Sequence, residues 1–318
     1  MKLTAAETAQ LNALCKKFRI DVLTVLHEKQ TGHPGGSLSV CEILTTLYFK
    51  EMNVRPDEPQ WAERDRLVLS KGHAAPMLYR VLAEKGFFPV EEMHTLRDFE
   101  TRLQGHPCAR ETPGVDASTG PLGIGLSAAV GMAVGLRMNG SDARVYAILG
   151  DGEIEEGTIW EACMSANKFK VDNLCAVLDW NGVQLDGTND KIMPLGDVNA
   201  KFRAFGWNAT VIDGTDMKEI DKTLAALPEV TLNGKPNAII CSTTKGQGVG
   251  FMMERPCAWH IGGFDDEKLA EAEKDIKEYT AKTVKQHSRP SVLAKLALFK
   301  ELMQSMGVKR EKKKELER

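Results

Sequence analysis

The sequence contains no run of about 18 consecutive apolar residues, which is the length that a helix needs to cross a lipid bilayer. Its N-terminal residues lead into a polar stretch with glutamate and glutamine, and the apolar core of an export signal is absent there as well. We therefore expect a cytoplasmic protein that has no membrane partner.

Paired cysteine motifs are also absent. The cysteines number seven, which is odd, none of them forms a C-x-x-C pair, and most lie inside apolar stretches. This pattern predicts reduced, buried thiols and argues against both a disulfide framework and a cysteine-based zinc site.

An excess of basic residues is missing too. Lysine and arginine total 41 against 44 aspartates and glutamates, which gives a formal net charge of −3. Because nucleic-acid binding depends on a positive field, this balance argues against a nucleic-acid partner. With 318 residues, 42% of them hydrophobic, the chain is long enough for one large domain or two small ones.

Short apolar strand patterns alternate with helix patterns along most of the chain. The strand patterns cover residues 66–70, 144–149, 174–178, 207–212 and 237–241. This alternation predicts an α/β fold, a mostly parallel sheet with helices on both faces. We expect residues 1–264 to form this domain and residues 265–318 to form a helical C-terminal extension with a charged tail.

Sequence patterns predict the secondary structure of several further segments. Thr4 and Glu7 form a capping-box pattern at the start of a long amphipathic helix, and a second helix pattern covers residues 39–50. Residues 104–123 contain several prolines and glycines and have no periodicity, so we expect a long loop. A helix of small residues, 124–138, follows this loop.

Polar residues follow two predicted strands at the point where each strand ends. Asp151 lies between Gly150 and Gly152, and Asn181 is followed by Gly182. Parallel sheets bind ligands at the carboxyl ends of their strands. One carboxylate, one amide oxygen and one loop carbonyl form a hard oxygen set that suits Mg²⁺, with Ca²⁺ or Mn²⁺ as substitutes. The glycines allow close approach of phosphates, so these residues predict a metal and diphosphate site.

Four of the seven histidines lie in loops rich in glycine or proline: His33, His73, His106 and His260. One loop histidine alone is most often simply exposed. Four of them on one side of a parallel sheet favour a shared role, because imidazoles donate to phosphate and hydroxyl oxygens and transfer protons near neutral pH. This chemistry suits a phosphorylated, polyhydroxylated substrate.

Three glutamates follow the Gly-Asp-Gly turn and precede a predicted helix. We interpret Glu153 and Glu155 as favourable charges at the helix N-terminus, without any further role. Glu156 is interpreted differently because of the resemblance described below.

A dinucleotide-binding fingerprint, G-x-G-x-x-A, is formally present from Gly123 to Ala128. That fingerprint must follow a buried strand. Residues 110–120 are polar and contain proline and glycine, so they cannot form this strand. We therefore do not expect an NAD site.

Eight motifs between residues 8 and 265 make the sequence resemble the N-terminal half of the transketolase family of thiamine diphosphate enzymes. The motifs are GHPGGS (32–37), LSKGHA (69–74), GHP (105–107), STGPLGIG (118–125), GDGEIEEG (150–157), DWNGVQLDG (179–187), TKGQGVGFM (244–252) and WH (259–260). Each motif alone is unspecific, whereas the ordered set is highly specific. The resemblance implies that residues 1–264 have the thiamine diphosphate-binding fold of the PP domain.

The resemblance also implies which residues bind the metal and the cofactor. Asp151, Asn181 and the backbone carbonyl of Val183 would bind Mg²⁺. The cofactor would be held by His73, Gly120, Pro121, Leu122, Asp151, Gly152, Glu156, Asn181, Lys245 and His260. Among these, Glu156 matches a glutamate of the inter-subunit network between two thiamines, and Lys245 matches a lysine beside the diphosphate.

The catalytic residues implied by the resemblance are the four loop histidines and Glu156. His33, His106 and His260 would contact the sugar. Together with His73, they would orient hydroxyl groups and stabilise developing alkoxides. The reaction would move a two-carbon ketol group from a ketose phosphate to an aldose phosphate, as in the pentose phosphate branch of carbohydrate metabolism, and the thiazolium ring would act as electron sink.

The second half of a transketolase has no counterpart in this sequence. In the family that half carries the glutamate that protonates the aminopyrimidine, the aromatic pocket for that ring and the arginines that bind substrate phosphate. The resemblance therefore implies the N-terminal subunit of a split transketolase. A C-terminal-half subunit would supply the pyrimidine-binding and C-terminal domains, and two copies of each half would form a heterotetramer.

Two alternatives stay open. The α subunit of a 2-oxoacid dehydrogenase also carries a Gly-Asp-Gly turn and an asparagine and also needs a partner, but the sugar-directed GHPG and LSKGHA loops argue against it. A non-catalytic regulatory homologue is the other alternative. It would have no chemical need for Asp151, Asn181 and the four histidines.

Overall fold

A sheet of five parallel strands forms the centre of the computed structural model, which describes residues 3–231 and 233–280. The strands are β1 (Arg66–Leu69), β2 (Val145–Gly150), β3 (Leu174–Trp180), β4 (Asn208–Asp213) and β5 (Asn237–Ser242). Their order in the sheet is β1-β2-β3-β5-β4, and all neighbouring strands run parallel. The predicted α/β class is therefore confirmed.

Helices connect the strands. They are α1 (Ala5–Lys29), α2 (Pro34–Ser39), α3 (Cys41–Thr46), α4 (Ala75–Lys85), α5 (Ile124–Met138), α6 (Gly157–Phe169), α7 (Asn189–Ile192), α8 (Val198–Ala204), α9 (Met217–Leu224), α10 (Gly250–Glu254) and α11 (Asp266–Glu278). The described residues also form a π-helical turn, Leu47–Glu51, and the 3₁₀ turns Gly72–Ala74, Val90–Thr95 and Glu153–Glu155. The predicted loop 104–123 contains neither helix nor strand.

Both faces of the sheet are covered by helices, as the alternation along β2 shows. Tyr146 and Ile148 point into a core shared with α1, α3 and α4, whereas Ala147 and Leu149 point into a second core shared with α5 and α6. Successive side chains of a strand point to opposite faces, so a strand buried on both sides has to be apolar at every position. This requirement explains the continuous apolar runs in the sequence.

The first helix begins where its capping box predicts. The Thr4 hydroxyl accepts a hydrogen bond from the Glu7 amide at 3.2 Å, and the Glu7 carboxylate accepts one from the Thr4 amide at 2.8 Å. The helix ends at Lys29, and its C-cap residue, Gln30, has a left-handed φ of 50°. Its apolar side, which includes Phe18, Val22 and Leu26, is fully buried in the core that it shares with α3 and α4.

The second predicted helix, residues 39–50, has the least accurate bounds of the predicted elements. Helix α2 already begins at Pro34, directly after His33, and a break at Val40 separates it from α3. Proline is favoured at the first helical position because its fixed φ suits the helix and its missing amide needs no partner there. The early start places the GHPGG motif at the beginning of a buried helix.

All seven cysteines are free thiols in the structure, as the sequence predicts. Five of them are buried, and Cys108 and Cys257 are half-buried. Within residues 3–231 and 233–280, none of the helices combines the length and the apolar character that crossing a membrane requires.

Helix α11 is part of the predicted C-terminal extension and packs against α1. Ala272 and Ile276 are buried, and the Lys16 ammonium donates a hydrogen bond to the Lys277 carbonyl at 2.8 Å. The predicted charged tail lies outside the described residues, and the domain boundary after residue 264 stays a prediction.

Candidate active site at the carboxyl edge of the sheet

A cavity of about 290 Å³ lies beyond the carboxyl ends of β1, β2 and β3. Eight of the predicted site residues line it: His73, Leu122, Asp151, Gly152, Asn181, Val183, Lys245 and His260. The remaining lining residues are Gly36, Lys71, Gly150, Glu153, Glu155, Gln184, Leu185 and Asp186. The parallel topology explains this convergence, because the loops that follow neighbouring strands meet at the same edge of the sheet.

Asp151 joins the loops that follow β2 and β3. Its side chain is buried, one carboxylate oxygen accepts a hydrogen bond from the Gly152 amide at 3.0 Å, and the other accepts one from the Gly182 amide at 2.5 Å. Burial, together with the nearby carboxylate of Asp179, raises the pKa of Asp151 to about 6. A cation beside Asp151 would compensate this buried charge.

Asn181 and Val183 lie in the turn that follows β3. The Asn181 side-chain oxygen accepts a hydrogen bond from the Val183 amide at 3.2 Å. The backbone bonds of this turn end on the carbonyls of Gly182 and Gly187, so the Val183 carbonyl is not used in them. Each Asp151 oxygen keeps a second lone pair, and the three oxygen donors therefore fit a hard cation such as Mg²⁺.

The donor set contains a single carboxylate. In the part of the chain that the structure describes, no three side chains of histidine, cysteine, aspartate or glutamate converge as a metal site. Mg²⁺ bound by one carboxylate commonly completes its octahedron with waters and phosphate oxygens of the ligand. The set thus suits a metal that arrives together with a diphosphate.

Gly152 forms a close contact between two loops of the cavity. A Cβ atom at this position would lie 2.8 Å from the Cβ of Gln184. This distance is far inside van der Waals contact, so any other residue would push the loop after β2 away from the loop after β3. The glycine therefore allows the loops to enclose a narrow cradle for an anion.

The four predicted histidines form one cluster beside the cavity. The His33 ring centre lies 5.3 Å from that of His73, 6.2 Å from that of His106 and 5.5 Å from that of His260. The rings of His73 and His260 are 5.2 Å apart. Four segments that are distant in sequence thus bring their imidazoles together.

All four imidazoles are held in the neutral form at neutral pH. Burial, together with neighbouring cations, lowers the pKa of His33 to about 4 and that of His260 to about 3. The pKa of His73 lies well below its usual value and that of His106 is also lowered, in both cases mainly by burial. A neutral imidazole has one donor and one acceptor, which suits hydroxyl groups.

Lys245 lies beside His260 at the edge of the cavity. Its ammonium is 2.8 Å from His260 Nδ1 and 3.2 Å from the Gln184 carbonyl. An ammonium can only donate, so this contact requires the lone pair of Nδ1 and leaves the ring proton on Nε2. Burial lowers the pKa of Lys245 to about 8, and the Asp151 carboxylate partly opposes this shift.

A buried ion pair beneath the cavity was not predicted from the sequence. Lys71 and Asp179 are almost completely buried and form a direct salt bridge. The Lys71 ammonium also donates to the Gly36 carbonyl at 3.0 Å, while the Asp179 carboxylate accepts hydrogen bonds from Ser39 at 2.6 Å and from Thr243. The sequence does contain one signal for this pair, because a charged residue follows directly after each of the two predicted strand patterns that correspond to β1 and β3.

The interpretation of Glu153 as a charge at a helix N-terminus was wrong. Glu153 lies in a 3₁₀ turn ahead of α6 and is only 2% exposed. Its carboxylate accepts hydrogen bonds from Ser70, Gly123 and Gly150. Burial raises the pKa of Glu153, and these hydrogen bonds oppose the rise.

Three predicted cofactor residues lie at the margin of the cavity. Glu156 precedes α6 on the exposed surface, next to Gly123, and is not part of the cavity lining. Pro121 is exposed, and a Cβ atom at Gly120 would lie 3.6 Å from the His106 ring. The described chain alone thus leaves Glu156 and Pro121 on an open face, and their roles stay predictions.

A comparison of the sequence with protein families finds a matching family model. Residues 11–276 match the family model described as "Transketolase, thiamine diphosphate binding domain". The chain belongs to this family. The match covers most of the chain and includes every predicted site residue.

Two relatives of this transketolase-family chain are subunits. An apulose-4-phosphate transketolase subunit from Phocaeicola vulgatus is 40% identical over 282 residues, which cover 89% of this chain and 98% of the relative. A 6-deoxy-6-sulfo-D-fructose transketolase subunit from a Clostridium species is 48% identical over 220 residues, which cover 69% of this chain and 79% of the relative.

A solved structure gives the same fold. Transketolase from Campylobacter jejuni superimposes with a TM-score of 0.78 at 28% identity and covers 93% of this chain. The chain spans only 47% of that transketolase, about half its length. The predicted family, fold, enzyme class and cofactor, thiamine diphosphate, are confirmed by these matches.

Proposed function

We propose that this chain is the N-terminal subunit of a split transketolase that transfers a two-carbon ketol group from a ketose phosphate to an aldose phosphate. The observation that carries the proposal is the position of the four-histidine cluster directly beside the cavity lined by Asp151, Asn181 and Val183. A diphosphate site and a hydroxyl-binding site adjoin each other, which ketol transfer on a diphosphate cofactor requires.

We further propose that the partner is a C-terminal-half subunit. The chain covers 98% of a relative whose name describes one subunit of a transketolase, and it covers 47% of a transketolase from Campylobacter jejuni. The missing half would cover the exposed face that carries Pro121 and Glu156. We expect two copies of each half in the assembly and a location in the cytoplasm.

The cofactor would be held through its diphosphate. Asp151, Asn181 and the Val183 carbonyl would bind Mg²⁺, which would neutralise phosphate charge, and Lys245 would face the same phosphates. Bound thiamine diphosphate supplies the carbon nucleophile and the electron sink of the reaction. The low pKa values of the surrounding imidazoles keep His73 and His260 uncharged near neutral pH, so they can donate or accept hydrogen bonds without adding charge.

The sugar would be bound by the histidine cluster. The Nδ1 atom of His33 is buried and has no hydrogen-bond partner among the described residues, so a substrate hydroxyl can supply one. The Nε2–H group of His260 can donate a hydrogen bond to the carbonyl oxygen of the ketose, on which negative charge would develop when the carbonyl carbon is attacked. His106 extends the cluster away from His73 and would contact a hydroxyl further along the sugar chain.

The substrate class follows from these groups. Uncharged imidazoles suit the hydroxyls of a ketose but provide no cation for its terminal anion, which we assign to the partner subunit. We propose a phosphate as this anion, in keeping with sugar phosphates such as the pentose phosphates. The names of the two relatives refer to a sugar phosphate in one case and a sulfo-sugar in the other.

A transfer assay tests this function. The chain, its candidate partner and an equimolar mixture are supplied with thiamine diphosphate, Mg²⁺, a ketose phosphate donor and an aldose phosphate acceptor. We expect transfer only in the mixture, and at least a hundredfold loss in the Asp151→Ala mixture. A mixture that binds the cofactor and transfers no ketol group from any ketose tested would contradict the proposal and favour the 2-oxoacid or regulatory alternatives.

A further inference from the structure

Glu153 connects three separate segments of the chain beneath the cavity. One carboxylate oxygen accepts hydrogen bonds from the Ser70 hydroxyl at 2.5 Å and from the Gly123 amide at 3.0 Å. The other oxygen accepts a hydrogen bond from the Gly150 amide at 3.0 Å. The side chain is 2% exposed, so these contacts are not shared with bulk solvent.

Each of the three donors is the neighbour of a residue that lines the cavity. Ser70 follows β1 and precedes Lys71. Gly123 is the cap of α5 and follows Leu122, and Gly150 ends β2 and precedes Asp151. The three walls of the cavity are therefore joined through one carboxylate.

We propose that Glu153 is a positioning residue that fixes these three walls relative to one another and thereby sets the affinity of the site for thiamine diphosphate and Mg²⁺. This inference rests on the proposed function. Glu153 acts through Lys71, Leu122 and Asp151 rather than by contact with the reacting atoms.

The hydrogen-bond pattern requires a carboxylate. All three groups around Glu153 are donors, and an ionised carboxylate accepts through both of its oxygens. The glutamine amide has one accepting oxygen, and its NH₂ group would face either Gly150 or the pair formed by Ser70 and Gly123. An isosteric Glu153→Gln side chain thus releases at least one wall while it fills the same volume.

The Gly123 wall has little freedom to adjust. Gly123 has a φ of +87°, a conformation that other residues rarely adopt, and a Cβ atom there would lie 2.4 Å from the Thr158 hydroxyl oxygen. Gly125 is packed equally closely against Ser70. The loss of the carboxylate is therefore not easily repaired by a shift of the loop.

Hydrogen exchange of the Glu153→Gln chain tests the connection directly. We expect the amides of the segments around Gly123 and Gly150 to exchange about tenfold faster, while the other segments of the sheet keep wild-type rates. Ser70→Ala removes only one donor and should give a smaller increase at the same segments. Glu229→Gln, the same chemical change at an exposed position between α9 and β5, is the matched control.

Calorimetric titration of the two-subunit complex with thiamine diphosphate and Mg²⁺ tests the consequence. We expect the dissociation constant to rise about tenfold in Glu153→Gln, less in Ser70→Ala, and not in Glu229→Gln. Uniformly faster exchange with an unchanged dissociation constant would show a merely structural role and overturn the proposal. Unchanged exchange in both variants would overturn it as well.

The two experiments separate this proposal from the function on which it rests. A wild-type complex that binds no thiamine diphosphate would overturn the proposed function and the affinity part of the inference. The exchange data would still decide whether Glu153 joins the three walls. If Glu153→Gln does not fold, the proposal is judged on the hydrogen exchange and the dissociation constant of Ser70→Ala.

Discussion

The buried pair of Lys71 and Asp179 illustrates how strongly single residues depend on partners that are distant in sequence. The two residues are 108 positions apart, and each is almost inaccessible to solvent. Burial of one charge without the other is costly, because the desolvated ion then has no compensating partner. The stability of the domain should therefore respond to the loss of either one.

We expect Lys71→Met to lower the free energy of unfolding by about 3–5 kcal/mol, because it leaves the Asp179 carboxylate buried and uncompensated. Urea denaturation of the chain measures this loss. Lys17→Met is the control, since the pair of Lys17 with Glu84 has side-chain exposures of 52% and 22% and surface pairs contribute about 0–1 kcal/mol. Equal effects of the two substitutions would contradict the account of Lys71.

The neutral state of His33 predicts a pH dependence of stability. Its folded pKa is about 4, below the usual value of 6.5, so the unfolded chain binds more protons in the window between them. The contribution of His33 to the free energy of unfolding is fully present above its pKa in the unfolded chain. This contribution is lost as the pH falls from about 6.5 towards 4. Between pH 7.5 and pH 5 we expect His33 to account for about 1–2 kcal/mol of this loss, because solvent screens the partly exposed ring.

Urea denaturation of wild type and His33→Gln at the two pH values measures the contribution of His33. The variant should lose less stability on acidification than the wild type does. His94→Gln, at a mostly exposed position, controls for the removal of an imidazole. An identical pH dependence in wild type and His33→Gln would show that His33 is not kept neutral by burial.

The sequence indicated which residues come together at this edge of the sheet. It indicated less well which of their side chains are buried. The four histidines, Asp151 and Asn181 were recognisable because each follows a strand or lies in a glycine-rich loop. Glu153 was misread, since a glutamate ahead of a helix has the same local pattern whether it is exposed or buried. Its carboxylate faces inward because of donors that include Ser70, 83 residues away, and Gly123, 30 residues away.

At the scale of the elements, the apolar runs predicted all five strands, and the pattern over residues 124–138 predicted both ends of α5. These predictions succeeded because a strand buried on both faces leaves a continuous apolar signal. The pattern over residues 39–50 failed to reveal α2 and the break at Val40. Small residues such as those of the GHPGG motif carry little periodicity, and tertiary packing makes this segment helical.

The contact between the loops after β2 and β3 can be tested by a substitution that adds a single methyl group, Gly152→Ala. Gly152 has a φ of −64°, so alanine is compatible with its backbone, yet a Cβ atom would lie 2.8 Å from that of Gln184. We expect Gly152→Ala to lower the free energy of unfolding by about 1–3 kcal/mol through overpacking. The separated loops should also bind Mg²⁺ and inorganic diphosphate about tenfold more weakly, which calorimetry of the complex measures.

Gly157→Ala is the matched control for this substitution. A Cβ atom at Gly157, the first residue of α6, would meet nothing within 4 Å. This variant should therefore keep wild-type stability and affinity. If Gly152→Ala behaved like Gly157→Ala, the close approach of the two loops would not matter for the site.

At the scale of the whole molecule, the chain provides one side of a site that needs a second side. The cavity holds the groups for a metal, a diphosphate and sugar hydroxyls, whereas the face with Glu156 and Pro121 is exposed. The sequence could indicate that a partner is needed, because the motifs match only half of a transketolase. It could not give the contacts between the halves, since these depend on the other chain.

The most direct test of the account is a calorimetric titration of thiamine diphosphate with Mg²⁺ into this chain, into its candidate partner and into an equimolar mixture. We predict binding to the mixture at least a hundredfold tighter than to either chain alone, with one cofactor per pair of chains. Equally tight binding to this chain alone would contradict the central claim that the site is completed by a second subunit.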